Sequence, residues 1–164
     1  MVARFRPYDG EQSDEPMVVC PRCRHAAMIT PLPGQSIQHV SRRFACHVCG
    51  YARDWHPPTH NHDPKLGRRF FHWEDRHASS MDVTDQWFGA SLWLQTPCCG
   101  QVLWAGNASH LTYLRGYVAA SLWEGFIDQA STGSSLPDWM ITAKHRDEVL
   151  RGLDRLGAQL VGTR

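Results

Sequence analysis

The sequence has almost no net charge, which limits the ways in which the whole chain could bind a charged partner. Its 164 residues carry 17 Lys and Arg against 16 Asp and Glu, a formal net charge of +1. A protein that holds nucleic acid through its overall charge has a strong basic surplus, so such contact here would need a local basic surface. Lysine is also scarce, because Lys65 and Lys144 are the only two, and arginine supplies nearly all positive charge.

Long apolar segments are missing as well. No run approaches the ~20 apolar residues that a membrane-crossing helix needs. The first nine residues contain Arg4 and Arg6 but no apolar stretch of the kind found in a secretory signal. We therefore expect a cytoplasmic protein without a membrane partner.

Four of the six cysteines form two matched pairs, and they carry the clearest chemical signal in the chain. Cys20 and Cys23 enclose two residues, Cys46 and Cys49 do the same, and 22 residues separate the pairs. The two-residue gap within each pair lets that pair form a tight turn, which directs two thiolates at one ion. The two pairs together predict a tetrahedral metal site. The expected cofactor is one Zn²⁺, with iron as the alternative. Four thiolates leave no open coordination position, so the ion is expected to be structural.

At these residues the chain resembles a zinc ribbon, the small β module of transcription factors, RNA polymerase subunits and ribosomal proteins, with rubredoxin as its iron-binding relative. Pro21 and Gly50 fit the pattern, whereas Arg24 stands where such a turn more often has glycine. The remainder, particularly 93–100 and 136–140, is similar to a group of small uncharacterised bacterial zinc-ribbon proteins. The resemblance implies a fold fragment with a structural metal and transfers no catalytic residue.

Composition along the chain predicts an α+β protein in four parts. An acid-rich flexible leader occupies 1–16, an all-β zinc ribbon 17–55, and a Pro-rich linker 56–67. A Trp-rich domain with a β-hairpin and two helices follows over 68–164. Six of the seven tryptophans lie in that last part and supply apolar area for a second core.

Local patterns predict the elements of both parts. In the ribbon, β-prone runs predict strands over 26–30, 37–45 and 51–55. In the second part, the runs 91–96 and 101–105 flank a turn and predict a hairpin. Asn107 is placed to cap a helix over 108–124, and an apolar stripe continues a last helical segment from Ser135 to Leu160.

The preferred functional hypothesis is a non-catalytic adaptor that binds nucleic acid or a nucleoprotein. Between 17 and 55 the chain has five arginines against one acidic residue, a local basic bias. In 68–73, two arginines stand beside a run of aromatic residues, a composition that can bind phosphates and stack on bases, although the same pattern suits the buried entry of a second domain. The predicted contact residues are Arg22, Arg42, Arg43, Phe44, Arg68 and Arg69.

Two further functions remain open at this point. Cys98 and Cys99, with His110 as a base, would suit a cysteine-dependent enzyme or redox protein. Adjacent residues on extended backbone point in opposite directions, so we expect these two to be turn and core thiols that do not chelate one ion. The other function is a protein-interaction subunit of a larger complex.

The histidines of the linker offer one more possible metal site. His56, His60 and His62 lie close together in the sequence and could bind a second, labile ion. A Pro-rich segment does not fix the geometry of its ligands in advance, so we expect solvated histidines here.

Overall fold

The computed structural model describes residues 15–33, 41–56, 83–85, 87–120 and 136–162 of the chain. The molecule divides into two compact units, one formed by Asp14–Trp93 and the other containing Leu94–Arg164. The first holds an antiparallel sheet of four strands, and the second a two-stranded hairpin and helices. The predicted α+β class is therefore confirmed.

The first unit is built on the sheet order β1-β2-β3-β4, with every neighbouring pair antiparallel. The strands are β1 (Met17–Val19), β2 (Ala26–Pro31), β3 (Arg42–Ala45) and β4 (Ala52–Trp55). Three of them overlap the predicted strands, while the short β1 is not among those predictions. The part of the second predicted strand before residue 41 lies outside the described residues.

Alternation along the strands decides which side chains enter the core of this unit. Val18 on β1, Ile29 on β2 and Phe44 on β3 are at most 2% exposed. Ile29 lies opposite Phe44 in the β2–β3 register. The neighbours of these residues along each strand are more exposed, as expected for a sheet with one buried face.

A segment from the middle of the chain completes the first unit beside β1. The Val19 amide donates to the Ser91 carbonyl (2.8 Å), and the Trp93 amide donates to the Met17 carbonyl (2.9 Å). These bonds tie 83–93 to the sheet, and the division between the units falls after Trp93. The predicted boundary near Arg68 and most of the predicted linker lie outside the described residues.

The buried carboxylate of Asp85 organises that segment. One oxygen accepts hydrogen bonds from the amides of Trp87 (2.8 Å) and Phe88 (2.7 Å), and the other accepts from the amide of Ala90 (2.6 Å). Asp85 is only 3% exposed, so these donors satisfy a charge that has lost most of its water. The resulting turn places the Phe88 ring edge-on against Phe44, with centroids 5.6 Å apart.

The second unit begins with the predicted hairpin and continues into helices. Its elements are β5 (Leu94–Cys98), β6 (Gln101–Ala105), α1 (Ala108–Ala120), α2 (Asp138–Ile141), a 3-10 turn (Ala143–His145) and α3 (Arg146–Val161). The Asn107 side chain accepts a hydrogen bond from the His110 amide (2.9 Å) and caps α1 as predicted. No helix in the described ranges has both the length and the apolar character that a bilayer crossing requires.

Helix α3 packs on the hairpin and on α1. Val149, Leu153 and Leu156 of the predicted stripe are at most 1% exposed, and Gly152 lies on the same buried face. Leu103, also fully buried, comes close to Gly152 from β6. The absence of a side chain at Gly152 is therefore what lets the helix approach the hairpin.

Replacing Gly152 with Ala is expected to destabilise the protein despite the better helix propensity of alanine. An added Cβ would lie 2.6 Å from Cδ2 of Leu103. Overpacking of this kind costs about 1–3 kcal/mol, whereas the gain in propensity is at most about 1 kcal/mol. Urea denaturation should show a lower midpoint for the variant.

Gly157→Ala provides the matched control within the same helix. In the described part of the chain, no atom beyond the adjacent residues and the local backbone of α3 lies within 4 Å of the position that a Cβ at Gly157 would take, so only the propensity gain remains. We expect this variant to be more stable than the parent by about 0.5–1 kcal/mol. Equal changes at the two glycines would contradict the close approach of α3 to Leu103.

Candidate metal centre

Sheet topology brings the two cysteine pairs to one end of the first unit. One pair occupies the connection from β1 to β2, and the other occupies the connection from β3 to β4. Because β2 and β3 are antiparallel, the start of β2 lies beside the end of β3, with Met28 opposite Ala45. The two connections therefore meet at the same edge.

Each connection forms the same hydrogen-bonded turn, called a knuckle below. In the first knuckle the Arg24 amide donates to the Cys20 carbonyl (2.9 Å), and in the second the Gly50 amide donates to the Cys46 carbonyl (3.0 Å). The amide of the first cysteine in each knuckle also bonds across the turn, from Cys20 to the His25 carbonyl and from Cys46 to the Tyr51 carbonyl. Both pairs of thiols are thus held by equivalent backbone.

The four sulfur atoms form a compact group that fits one metal ion. Sγ of Cys20 lies 3.7 Å from Sγ of Cys49, and Sγ of Cys23 lies 3.5 Å from Sγ of Cys46. All four ligand atoms lie within 4.8 Å of one another. A tetrahedral ion with metal–sulfur bonds of about 2.3 Å needs sulfur–sulfur edges of about 3.8 Å. The predicted metal ligands are therefore correctly grouped for a structural ion.

The departure from the usual pattern at Arg24 is accommodated by backbone strain. Arg24 has φ +67°, close to the φ of +71° at Gly50 in the second knuckle. A side chain in this left-handed region costs roughly 1 kcal/mol or more. Arg24 thus takes the conformation that glycine adopts more easily, and the geometry of the ligands is preserved.

Cys46 and Cys23 differ in acidity because their hydrogen-bond partners differ. The backbone N–H of Cys49, with that of Val48, lowers the pKa of Cys46 to about 6. The backbone N–H of His25 lowers the pKa of Cys23, but desolvation and the hydrogen bonds with neighbouring thiols outweigh it and raise the pKa to about 12. Four thiolates cannot lie together without a cation, so metal binding would displace the remaining protons.

Two residues of the predicted nucleic-acid surface are buried, which corrects that part of the prediction. Arg42 is 7% exposed, and its guanidinium carbon lies 4.5 Å from the ring centroid of Trp87. Phe44 is 2% exposed and packs edge-on against Tyr51. Both lie on the inward face of β3, whereas Arg43, which stands between them in the strand, lies on the outward face. Neither Arg42 nor Phe44 can belong to an exposed contact surface.

Arg43 is exposed but already engaged across the sheet. Its guanidinium makes two hydrogen bonds to the carboxylate of Asp54, at 2.7 and 2.8 Å. This ion pair lowers the pKa of Asp54 and raises the pKa of Arg43. Its charge is thus largely compensated.

The other predicted contact residues have mixed positions. Arg22 is exposed on the first knuckle, and Arg24 and Arg53, which the prediction omitted, are exposed as well. Their local charge was visible in the sequence, but their orientation was not. Arg68, Arg69, His60 and His62 lie outside the described residues. His56 is described, and its Nδ1 lies 2.9 Å from Oγ of Ser41.

The remaining cysteines do not point apart as expected. Cys99 has φ +52° in the turn between β5 and β6, so it is not on extended backbone. Its Sγ lies 3.7 Å from Sγ of Cys98, and both lie within 4.8 Å of a carboxylate oxygen of Glu148. Burial raises the pKa of Cys98 to about 12 and is the largest cause of the raised pKa of Cys99. A raised pKa disfavours the thiolate, which counts against either thiol as a nucleophile.

His110, the proposed base for these thiols, belongs to the other end of the hairpin. Its Nδ1 accepts a hydrogen bond from the Gly106 amide (3.0 Å), just beyond β6. Cys98 pairs with Gln101 at the start of β6, whereas Gly106 follows the end of this strand. The length of β6, about 13 Å, therefore separates the cysteines from the bond made by His110. Burial lowers the pKa of His110 to about 4, and its ring packs against Trp104. The catalytic group of Cys98, Cys99 and His110 is therefore not assembled.

The geometry of the four-cysteine group carries the assignment of the metal centre. Comparisons with protein-family models, with curated proteins and with solved structures gave no match.

Proposed function

We propose that Cys20, Cys23, Cys46 and Cys49 hold one structural Zn²⁺, and that the resulting zinc ribbon is a non-catalytic module that binds nucleic acid or a nucleoprotein. The observation that supports the Zn²⁺ site is the sulfur geometry, in which two pairs of Sγ atoms lie 3.5 and 3.7 Å apart. Four thiolates saturate a tetrahedral ion, so the metal would shape the module without meeting a substrate. Iron could use the same donors, and elemental composition of the purified protein distinguishes the two. Reduced thiols also favour a reducing compartment such as the cytoplasm.

The proposed binding of nucleic acid or a nucleoprotein rests on the exposed side of the two knuckles. We define the knuckle face as Arg22, Arg24, His47 and Val48, which are all exposed. The segments 20–25 and 46–50 contain no acidic residue. Two exposed arginines on one metal-braced turn are suited to contact phosphates. The four thiolates with one Zn²⁺ carry a net charge of −2, so the favourable contact depends on the guanidinium groups lying outermost and not on a net positive charge of the knuckles.

The test is the salt dependence of binding to a labelled DNA duplex and to a single-stranded RNA. The variant Arg22→Ser/Arg24→Gly removes both charges, and glycine relieves the strain at position 24, so folding should be preserved. Each lost phosphate contact reduces the slope of log affinity against log salt by about 0.9 on a duplex. We expect the double variant to lose about two such increments and to bind both probes more weakly.

A matched control removes the same charge from the second unit. Lys144 and Arg151 are exposed there, and Lys144→Ser/Arg151→Ser has the same net charge as the knuckle variant. We expect it to bind as the parent does. Equal weakening by both variants, or a salt-independent affinity, would contradict the knuckle face as the contact surface.

One observation favours a second candidate, docking of the ribbon on a protein. Val48 is 61% exposed at the tip of the second knuckle, and it is one of two large apolar side chains that are exposed in the described residues. Co-purification from the native host with and without nuclease separates the candidates. A partner that survives nuclease and is lost with Val48→Ser, but kept with Arg22→Ser/Arg24→Gly, would favour the protein partner.

A further inference from the structure

The tip of the hairpin in the second unit places two thiols side by side. Cys99 and Gly100 occupy the two loop positions, with φ +52° and φ +73°, and Cys98 pairs with Gln101 to close the loop. Positive φ at both positions is the feature of a type I′ turn, in which asparagine and glycine are usual. Because Cys99 adopts this conformation, its side chain turns back toward Cys98 instead of pointing to the opposite face of the strand.

Helix α3 adds a carboxylate to these thiols. Oε1 of Glu148, in the first turn of α3, accepts a hydrogen bond from the Cys99 amide (2.7 Å). Sγ of Cys98, Sγ of Cys99 and a carboxylate oxygen of Glu148 all lie within 4.8 Å of one another. Cys98 is buried, Cys99 is half-buried and Glu148 is exposed, so the group is open to solvent on its carboxylate side.

We propose that Cys98, Cys99 and Glu148 form a second cation site, which takes an exchangeable thiophilic divalent ion such as Zn²⁺. The two sulfurs are 3.7 Å apart, close to the edge of about 3.8 Å that a tetrahedral zinc thiolate requires. The donor set of two sulfurs and one carboxylate oxygen is one that zinc accepts. Three protein ligands leave one position for water, in contrast to the closed shell of the ribbon.

Charge and proton balance also suit a divalent ion. Each thiol releases its proton to solvent as the sulfur–metal bond forms, so one bound ion displaces two protons and no electron is transferred. Two thiolates, one carboxylate and one divalent ion leave a single negative charge. The guanidinium of Arg155 lies nearby, where it donates to the Pro97 carbonyl at 3.1 Å, and it can offset that charge.

The second cation site is independent of the function of the ribbon, because Cys98, Cys99 and Glu148 share no residue with the four-cysteine group. It is tested with Zn²⁺ as the probe, on the full-length protein with its ribbon metal in place and a phosphine reductant present. Competition with a chromogenic chelator should reveal a second bound ion per chain. Cys99→Ser and Glu148→Gln should each weaken this second binding about tenfold or more while the ribbon ion is retained.

Two controls make the result specific. Asp147→Asn neutralises the neighbouring exposed carboxylate in the first turn of α3 and should leave the second ion bound. Zn²⁺ should also protect Cys99 from iodoacetamide in the parent protein, and this protection should be lost with Glu148→Gln. Cys98 is not substituted because it is buried, and its replacement could disturb folding.

Two results would contradict the second cation site. A parent protein that binds only the ribbon ion would overturn the second site. A second ion held equally well by the parent, Cys99→Ser and Glu148→Gln would place the binding elsewhere in the chain and would also overturn it. Failure of the ribbon to bind nucleic acid would leave these measurements unaffected.

Discussion

Replacing Cys20 with Ser is expected to release the ribbon metal and unfold the unit Asp14–Trp93. Cys20 is fully buried, and its sulfur forms one of the two close pairs of the group. Structural zinc contributes about 10–16 kcal/mol in isolated finger peptides, which equals or exceeds the stability of a typical domain at about 5–15 kcal/mol. Elemental analysis and the loss of dispersed amide signals from this unit in a heteronuclear NMR spectrum measure the two effects.

Cys99→Ser is the matched control, because it also removes one thiol but lies in the second unit. It should keep the ribbon metal and the amide signals of the sheet. The described helices all belong to the second unit, so the helical circular dichroism should largely survive in Cys20→Ser. A metal-free Cys20→Ser protein with an unchanged spectrum of the sheet would refute the structural role of the ion.

Asp85→Ala should strongly destabilise the first unit. The change leaves three part-buried amides, those of Trp87, Phe88 and Ala90, without their acceptor. Each unsatisfied buried donor costs about 1–3 kcal/mol, so a total loss of about 3–5 kcal/mol is expected after partial hydration. Chemical denaturation of the metal-loaded protein, followed by tryptophan fluorescence, measures this loss.

Asp85→Asn gives an intermediate case that separates the charge of the side chain from its geometry as a hydrogen-bond acceptor. The asparagine oxygen can still accept from Trp87 and Phe88, while its NH₂ group faces the amide of Ala90. We expect roughly a third to half of the loss seen with alanine. If asparagine and alanine were equally disruptive, the charge of Asp85 and not its acceptor geometry would be the decisive factor.

Features that depend on neighbouring residues were predictable from the sequence. The spacing of the four cysteines predicted that their thiols form one group, because two residues between thiols suit only a few backbone turns. The hairpin and the cap at Asn107 follow from equally local rules. The apolar stripe of α3 was visible because its period matches a helix.

Features that depend on distant residues were not predictable. Arg42 looked like a surface residue, but its face of β3 is covered by Trp87, which lies more than forty positions later in the chain. Phe44 is buried for the same reason, through its contact with Phe88. The orientation of Cys99 depends on one backbone angle that a cysteine seldom adopts, and the partner Glu148 comes from a helix 49 residues away.

The pairing of sulfurs across the two knuckles has a consequence for how the ribbon assembles. Each close sulfur contact joins one cysteine from the β1–β2 connection to one from the β3–β4 connection. A nascent chain that has made only the first hairpin offers just two donors, and a captured ion would still carry solvent. If the proposed ion is held firmly only by all four thiolates, its capture requires both connections, so loading would wait until the later cysteines are synthesised.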